Sequence, residues 1–156
     1  METLARTATY RHTRIRIETR NPTEFVDLTD RIEALVSQAR LDSGLVNIQT
    51  LHTTTAIVVN EHEPLLLGDI ATLLERAAPQ DGFYRHDNIS LRTVNCVLGE
   101  RPNGHSHCRA LLLGSTACLN VADGRLQLGR WQRVFLVELD GPRTREVSVL
   151  LVGEGD

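Results

Sequence analysis

No lysine occurs in this sequence; all 17 basic residues are arginine. Against 20 acidic residues they leave a net charge of −3, which excludes bulk affinity for nucleic acid or a membrane surface but not a local basic pocket. Cysteine is scarce as well. Cys96, Cys108 and Cys118 are odd in number and form no CxxC pair, which argues against a disulfide framework and fits a reducing cytoplasm, with Cys118 expected in the core. No apolar run approaches the ~20 residues of a membrane-spanning helix, and the first twelve residues lack the apolar region of a signal peptide. HExxH, a glycine-rich phosphate loop and a carboxylate cluster suited to Mg²⁺ are all missing. These absences predict a cytoplasmic protein that binds neither nucleic acid nor membrane.

What is present suffices for one domain spanning residues 1–156. A chain of this size buries roughly two-thirds of its extended surface, so it can hold a core without disulfides. Residues 7–18 alternate, with Tyr10, Ile15 and Ile17 set among arginines and threonines, as in an edge strand with one wet face. Ile32, Leu35, Val36 and Ala39 recur on one helical face, with Thr29 placed as N-cap and Gly44 as terminator. Strands are expected at 45–52 and 55–59, linked irregularly through Thr53-Thr54. Leu67, Ile70, Leu73, Leu74 and Ala77 mark a second helix between Pro64 and Pro79. Residues 79–104 show no regular pattern, and a long irregular loop in a small domain is usually functional or disordered. Strands follow at 115–121, 126–139 and 147–152, the first two joined by an Asp123-Gly124 hairpin. Apolar residues nearly fill 134–139 and 147–152, which implies that both sheet faces are covered there. The prediction is an α+β fold, a largely antiparallel sheet or sandwich with two main helices.

Four histidines, His52, His86, His105 and His107, lie in or beside irregular backbone flanked by apolar runs. An imidazole there must satisfy two ring nitrogens, by hydrogen bonds or by a metal. Three histidines plus water is a familiar open zinc arrangement, and Glu61 and Asp69 would also suit Mn, Fe or Ni. Spacing alone leaves the choice open. In Gly104-His105-Ser106-His107-Cys108, a strand would set both imidazoles on one face, whereas a short helix closed by Gly114 would set them ~200° apart; the Ala-Leu run before that glycine favours the helix. Arg85, Arg109, Arg143 and Arg145 can each clamp a phosphate or carboxylate, although residues just after a turn are ordinarily surface charges. Trp131, the only tryptophan, is expected in the core or at an interface, and His12 and His62 at the surface.

Four blocks, matching in order and spacing, resemble the YjbQ family. They are His52-Thr53-Thr54-Thr55-Ala56 running to Asn60-Glu61; Asp69 with Tyr84, His86 and Asp87; Asn103-Gly104-His105-Ser106-His107 leading to Leu113-Gly114; and Gly124 to Gln132 with Glu138-Leu139-Asp140-Gly141-Pro142-Arg143. The match departs at Thr55, where a smaller residue is usual. The resemblance implies an α+β homotrimer with a histidine-lined pocket. His52, His86 and His107 would be ligands of a divalent metal, zinc foremost, with His105 a weaker fourth. Glu61, Asp69 and Arg143 would carry catalysis or support it, with Trp131 at the pocket. The family's description as thiamine-phosphate synthase-like implies a phosphorylated thiazole attacking a pyrimidine pyrophosphate, chemistry that needs a diphosphate clamp. The leading expectation is therefore a metal-assisted enzyme on a small phosphorylated or carboxylated metabolite. The alternatives are a metal-dependent hydrolase with Glu61 or Asp69 as general base, and a non-catalytic trimer that binds a metabolite or metal.

Overall fold

Residues that alternate or run apolar in the sequence form strands, and a computed structural model describing residues 7–155 shows how they are partnered. Among these residues a five-stranded antiparallel sheet takes the order β1 (Thr7–Glu18), β8 (Thr144–Gly155), β3 (Leu41–Thr50), β5 (Thr116–Ala122) and β6 (Arg125–Leu126). A three-stranded antiparallel sheet takes the order β2 (Glu24–Asp27), β7 (Gln132–Glu138) and β4 (Thr55–Glu61). The architecture is the expected α+β sandwich, but with three α-helices, not two: α1 (Thr29–Gln38), α2 (Pro64–Ala77) and α3 (Gly104–Leu113).

Two apolar clusters explain the coverage. Ile15, Val46, Ile48, Val149 and Leu151 of the larger sheet meet Ile57, Val134 and Leu136 of the smaller one, with Ile32 and Val36 of α1 closing the edge. On the other face of the smaller sheet, Ala56, Phe135 and Val137 pack under Leu67, Ile70 and Leu74 of α2 and Ala110 of α3. β7 is thus covered on both faces, as its unbroken hydrophobicity requires. β8 is covered on one only, since Leu150 is half-buried and Val152 exposed.

Several local expectations are corrected. Asp27 Oδ1 accepts the Thr29 N–H at 2.9 Å, and Thr29 Oγ1 itself accepts from Val134 N–H at 2.9 Å, so Thr29 ties helix to sheet instead of capping. α1 stops well before Gly44: Arg40 turns the chain at φ 51°, and β3 starts at Leu41 and ends at Thr50. Cys118 is exposed on the outer face of the larger sheet. Trp131 stands in solvent at the start of β7 under the Arg130 guanidinium, 4.6 Å above its ring.

Connectivity decides where a site can form. β3 and β4 lie in different sheets, so residues 51–54 cross the end of the sandwich. β7 and β8 also lie in different sheets, and residues 139–143 cross the same end, because Thr50 pairs with Val147 and Thr55 with Glu138. Two crossings, both rich in polar residues, are brought side by side.

Candidate functional site

The floor of this end is a buried ion pair. Glu138, fully buried, accepts from Arg145 Nε at 2.7 Å and Nη2 at 2.6 Å, and from Thr19 Oγ1 at 2.9 Å. The backbone N–H groups of Leu139 and Asp140 complete its shell at 2.9 and 2.8 Å. Burial alone would raise its pKa, but these donors outweigh burial and hold the carboxyl below the ordinary glutamate value. Arg145 also reaches Thr54 Oγ1 at 3.0 Å, which pins one crossing to the other.

Asp140 sits above this floor, only 8% exposed. Arg143 Nη2 donates to its Oδ2 at 2.8 Å, Arg101 lies 3.5 Å from its Oδ1, and both guanidiniums donate to its backbone carbonyl. Asn103 Nδ2 donates to Asp140 Oδ2 at 3.1 Å, which fixes the orientation of that amide. Its Oδ1, turned away, is buried with no hydrogen-bond partner among the described residues.

Asn103 also begins α3. The carboxylate of Asp87 accepts the N–H groups of Asn103 and Gly104 at 3.0 and 2.8 Å, favourable chemistry for a helix N-terminus. Gly104 is required here, because a Cβ would lie 2.4 Å from that of Tyr84. The helical reading of this segment holds, and it separates the two histidines. His105 turns inward, 3.1 Å from Ser106 Oγ and beside Tyr84, while His107 meets the edge of the His86 ring with centroids 4.6 Å apart. Among the described residues His86 Nε2 is buried without a partner, like Asn103 Oδ1, and both residues line one small cavity of about 10 Å³. Burial, and then the neighbouring His86, keeps the His107 pKa below the ordinary histidine value.

His52 answers its two nitrogens differently. Its Nε2 accepts the Glu146 N–H at 2.8 Å, which places the proton of the neutral ring on Nδ1. Burial, then the charge of Arg145, lowers its pKa. Neither nitrogen is free for a metal, so His52 leaves the predicted ligand set. Among the described residues no three His, Cys, Asp or Glu side chains stand close enough to hold a metal ion. His86, with its unpartnered nitrogen on a space of about one water's size and with the His107 ring against its own, is the part that comes nearest to fitting.

These groups open onto a cleft of about 590 Å³ whose wall includes Arg101, Asn103, His107, Asp140 and Arg143. Of the other charges there, Arg145 is matched by Glu138 and Glu100 by Arg92. Two guanidiniums therefore share the one carboxylate of Asp140, leaving one positive charge in excess. Of the three residues expected to carry or support catalysis, Arg143 lies on this wall, and Glu61 and Asp69 lie away from it. Glu61 pairs with Gln132 at the far end of β4, six residues from Thr55 and so ~20 Å along the strand, and Asp69 is exposed on α2. Trp131 lies at that same far end. Arg109 is structural, buried against Ala78 O and Glu75, and Arg85 is exposed.

Sequence reasoning passed over Glu138, Asp140, Asn103 and Arg101 as carriers of the site. One signal was available: a carboxylate within the apolar run 134–139 must have a partner, and Arg145 follows it after a turn.

Comparison with known proteins places this arrangement. Residues 13–154 match the family described as UPF0047 protein YjbQ-like. A UPF0047 protein of Archaeoglobus fulgidus is 39% identical over 133 residues, 85% of this chain and 94% of its own, and one of Methanothermobacter thermautotrophicus is 35% identical over 138 residues, 88% and 89%. A crystal structure of a protein from Sulfolobus solfataricus superposes with a TM-score of 0.85 at 34% identity, covering 95% of this chain and 100% of its own. One of a YjbQ/UPF0047 protein from Clostridium acetobutylicum gives 0.78 at 30%, covering 89% and 98%. The chain belongs to the YjbQ/UPF0047 family.

Proposed function

We propose that the crossover cleft binds a small phosphorylated or carboxylated metabolite, held by Arg101 and Arg143 beside a neutral His107. The observation that carries this is the sharing of one buried carboxylate by two guanidiniums. Asp140 fixes both arginines in place while neutralising only one, and an incoming anion takes the other charge. Arginine suits that task because its fork presents several N–H donors at once. His107, whose pKa burial lowers, lies on the same wall; in the metal-free site its ring would be free to accept a proton, and in the metal-loaded one it would serve as a ligand instead.

A divalent metal, zinc foremost, would rest on His86 and His107, with water or the bound anion completing its shell; it would supply Lewis-acid polarisation of the anion. A homotrimer is supported by the apolar side chains that stand in solvent along the neighbouring loop, Leu91, Val94, Val97 and Leu98. The enzyme reading draws on the neutral His107; a hydrolase with Glu61 or Asp69 as base has no support within the chain, since neither reaches the cleft.

Titration calorimetry with methyl phosphate tests the anion site: binding in the wild type that weakens about tenfold or more in Arg143→Ala supports it, and equal affinities refute it. Elemental analysis of protein purified without a tag tests the metal. Stoichiometric metal lost in His86→Ala and His107→Ala but kept in His52→Ala supports the two-histidine site.

A further inference from the structure

We infer, building on the anion reading above, that the ligand is bipartite: a phosphomonoester whose uncharged, apolar body lies in a second cleft joined to the first. This second cleft, of about 560 Å³, runs along Leu51, His52, Ala110 and Leu111. It meets the first at Thr53 and His107, which line both.

The two clefts differ sharply in charge. Three arginines and two carboxylates line the first; no Asp, Glu, Lys or Arg lines the second. The two histidines there are His52, whose ring accepts the Glu146 N–H, and His107, which stands at the junction with the first cleft. Apolar side chains stand unusually open beside it, Leu111 at 84% and Leu51 at 42% exposure. An apolar group laid on them gains by removing that surface from water, whereas a charged one would lose hydration with no counter-charge to meet. Each space falls within the roughly 300–1,000 Å³ of small-molecule sites. A ligand crossing at His107 would thus present its anion on one side and an uncharged body on the other.

Methyl phosphate reaches only the first cleft, whereas phenyl phosphate reaches both. Calorimetry on the wild-type chain should show phenyl phosphate binding about tenfold tighter than methyl phosphate, the gain expected from partial burial of one ring. Leu111→Asp, on an exposed side chain, should abolish that gain while leaving methyl phosphate affinity unchanged, and Leu111→Met should keep it. Equal affinities for the two phosphates in the wild type would overturn the bipartite ligand while sparing the anion site. Absence of binding by either would overturn both. A phenyl gain that survives Leu111→Asp, with a fall in oligomer mass by light scattering, would assign this surface to a subunit contact and overturn the inference.

Discussion

The two ends of β7 carry polar clusters of similar composition and opposite character. At the Gln132 end, Asp27 is matched on every side: Arg133 Nε at 2.7 Å, His62 Nδ1 at 3.0 Å and the Thr29 N–H at 2.9 Å, with Asp30 taking the rest of Arg133. Burial opposes the charge of Asp27, yet these donors lower its pKa to about 2. At the Glu138 end, two arginines share Asp140, while Asn103 Oδ1 and His86 Nε2 have no partner among the described residues. A satisfied cluster fastens one element to another. An unsatisfied one beside a cleft has polar capacity left over, which is what the proposed anion site draws on. Function is read from the mismatch, not from the density of charge.

The largest effect separating the two ends should come from their foundations. Glu138→Ala or Arg145→Ala leaves an uncompensated buried charge and should cost about 3–5 kcal/mol in denaturant unfolding. Asp27→Asn, at the half-open end, should cost only about 1–2 kcal/mol. Acid should weaken the fold in two windows. His52, His105 and His107 have pKa values lowered by burial, so their share of the stability is complete above the unfolded value of 6.5 and is lost as pH falls through the folded values. Glu138 and Asp27 are likewise lowered, so theirs is lost at lower pH, for Asp27 only on approaching about 2. A chemical-denaturation series should therefore stay level from pH 8 to about 6.5 and then fall, first as the histidines and later as the carboxylates protonate; a rise between pH 7 and 5 would contradict the histidine assignments.

Gly104→Ala comes next. Its Cβ would strike Tyr84 and loosen the α3 start that presents His107, costing about 1–3 kcal/mol by thermal or denaturant melting. Arg143→Ala should change stability by about 0.5 kcal/mol or less while weakening phosphate binding about tenfold. The smallest effect sharpens the comparison most. Glu61→Gln and Asp69→Asn, away from the cleft, should leave methyl phosphate affinity within about twofold of wild type, a change of roughly 0.4 kcal/mol.

Much of the fold was legible because periodicity is local. The edge strand 7–18, the helix between Pro64 and Pro79 and the Asp123-Gly124 hairpin each announce themselves within a dozen residues. What could not be read was which sheet each strand joins. The Thr53-Thr54 link, expected as an irregular connection between two strands, is a passage between two sheets. That passage begins at the end of β3 and puts His52 against the Glu146 N–H of the neighbouring strand β8, a pairing of residues 94 apart that is invisible in sequence. Glu61 seemed a neighbour of His52 by number, but an extended strand carries it away, whereas Asp140 and Asn103, distant in number, arrive together. Of the histidines grouped by family resemblance, His86 and His107 stand ring against ring, while the helix turns His105 inward, away from them.

The most direct test follows guanidinium resonances during a titration. With ¹⁵N-labelled protein and methyl phosphate, the Nε–H signals of Arg143 and Arg101 and the ring signals of His107 should shift together along one binding curve, while Arg133 and His62 at the opposite end stay still. Saturable shifts at Arg133 and none at Arg143 would contradict the account.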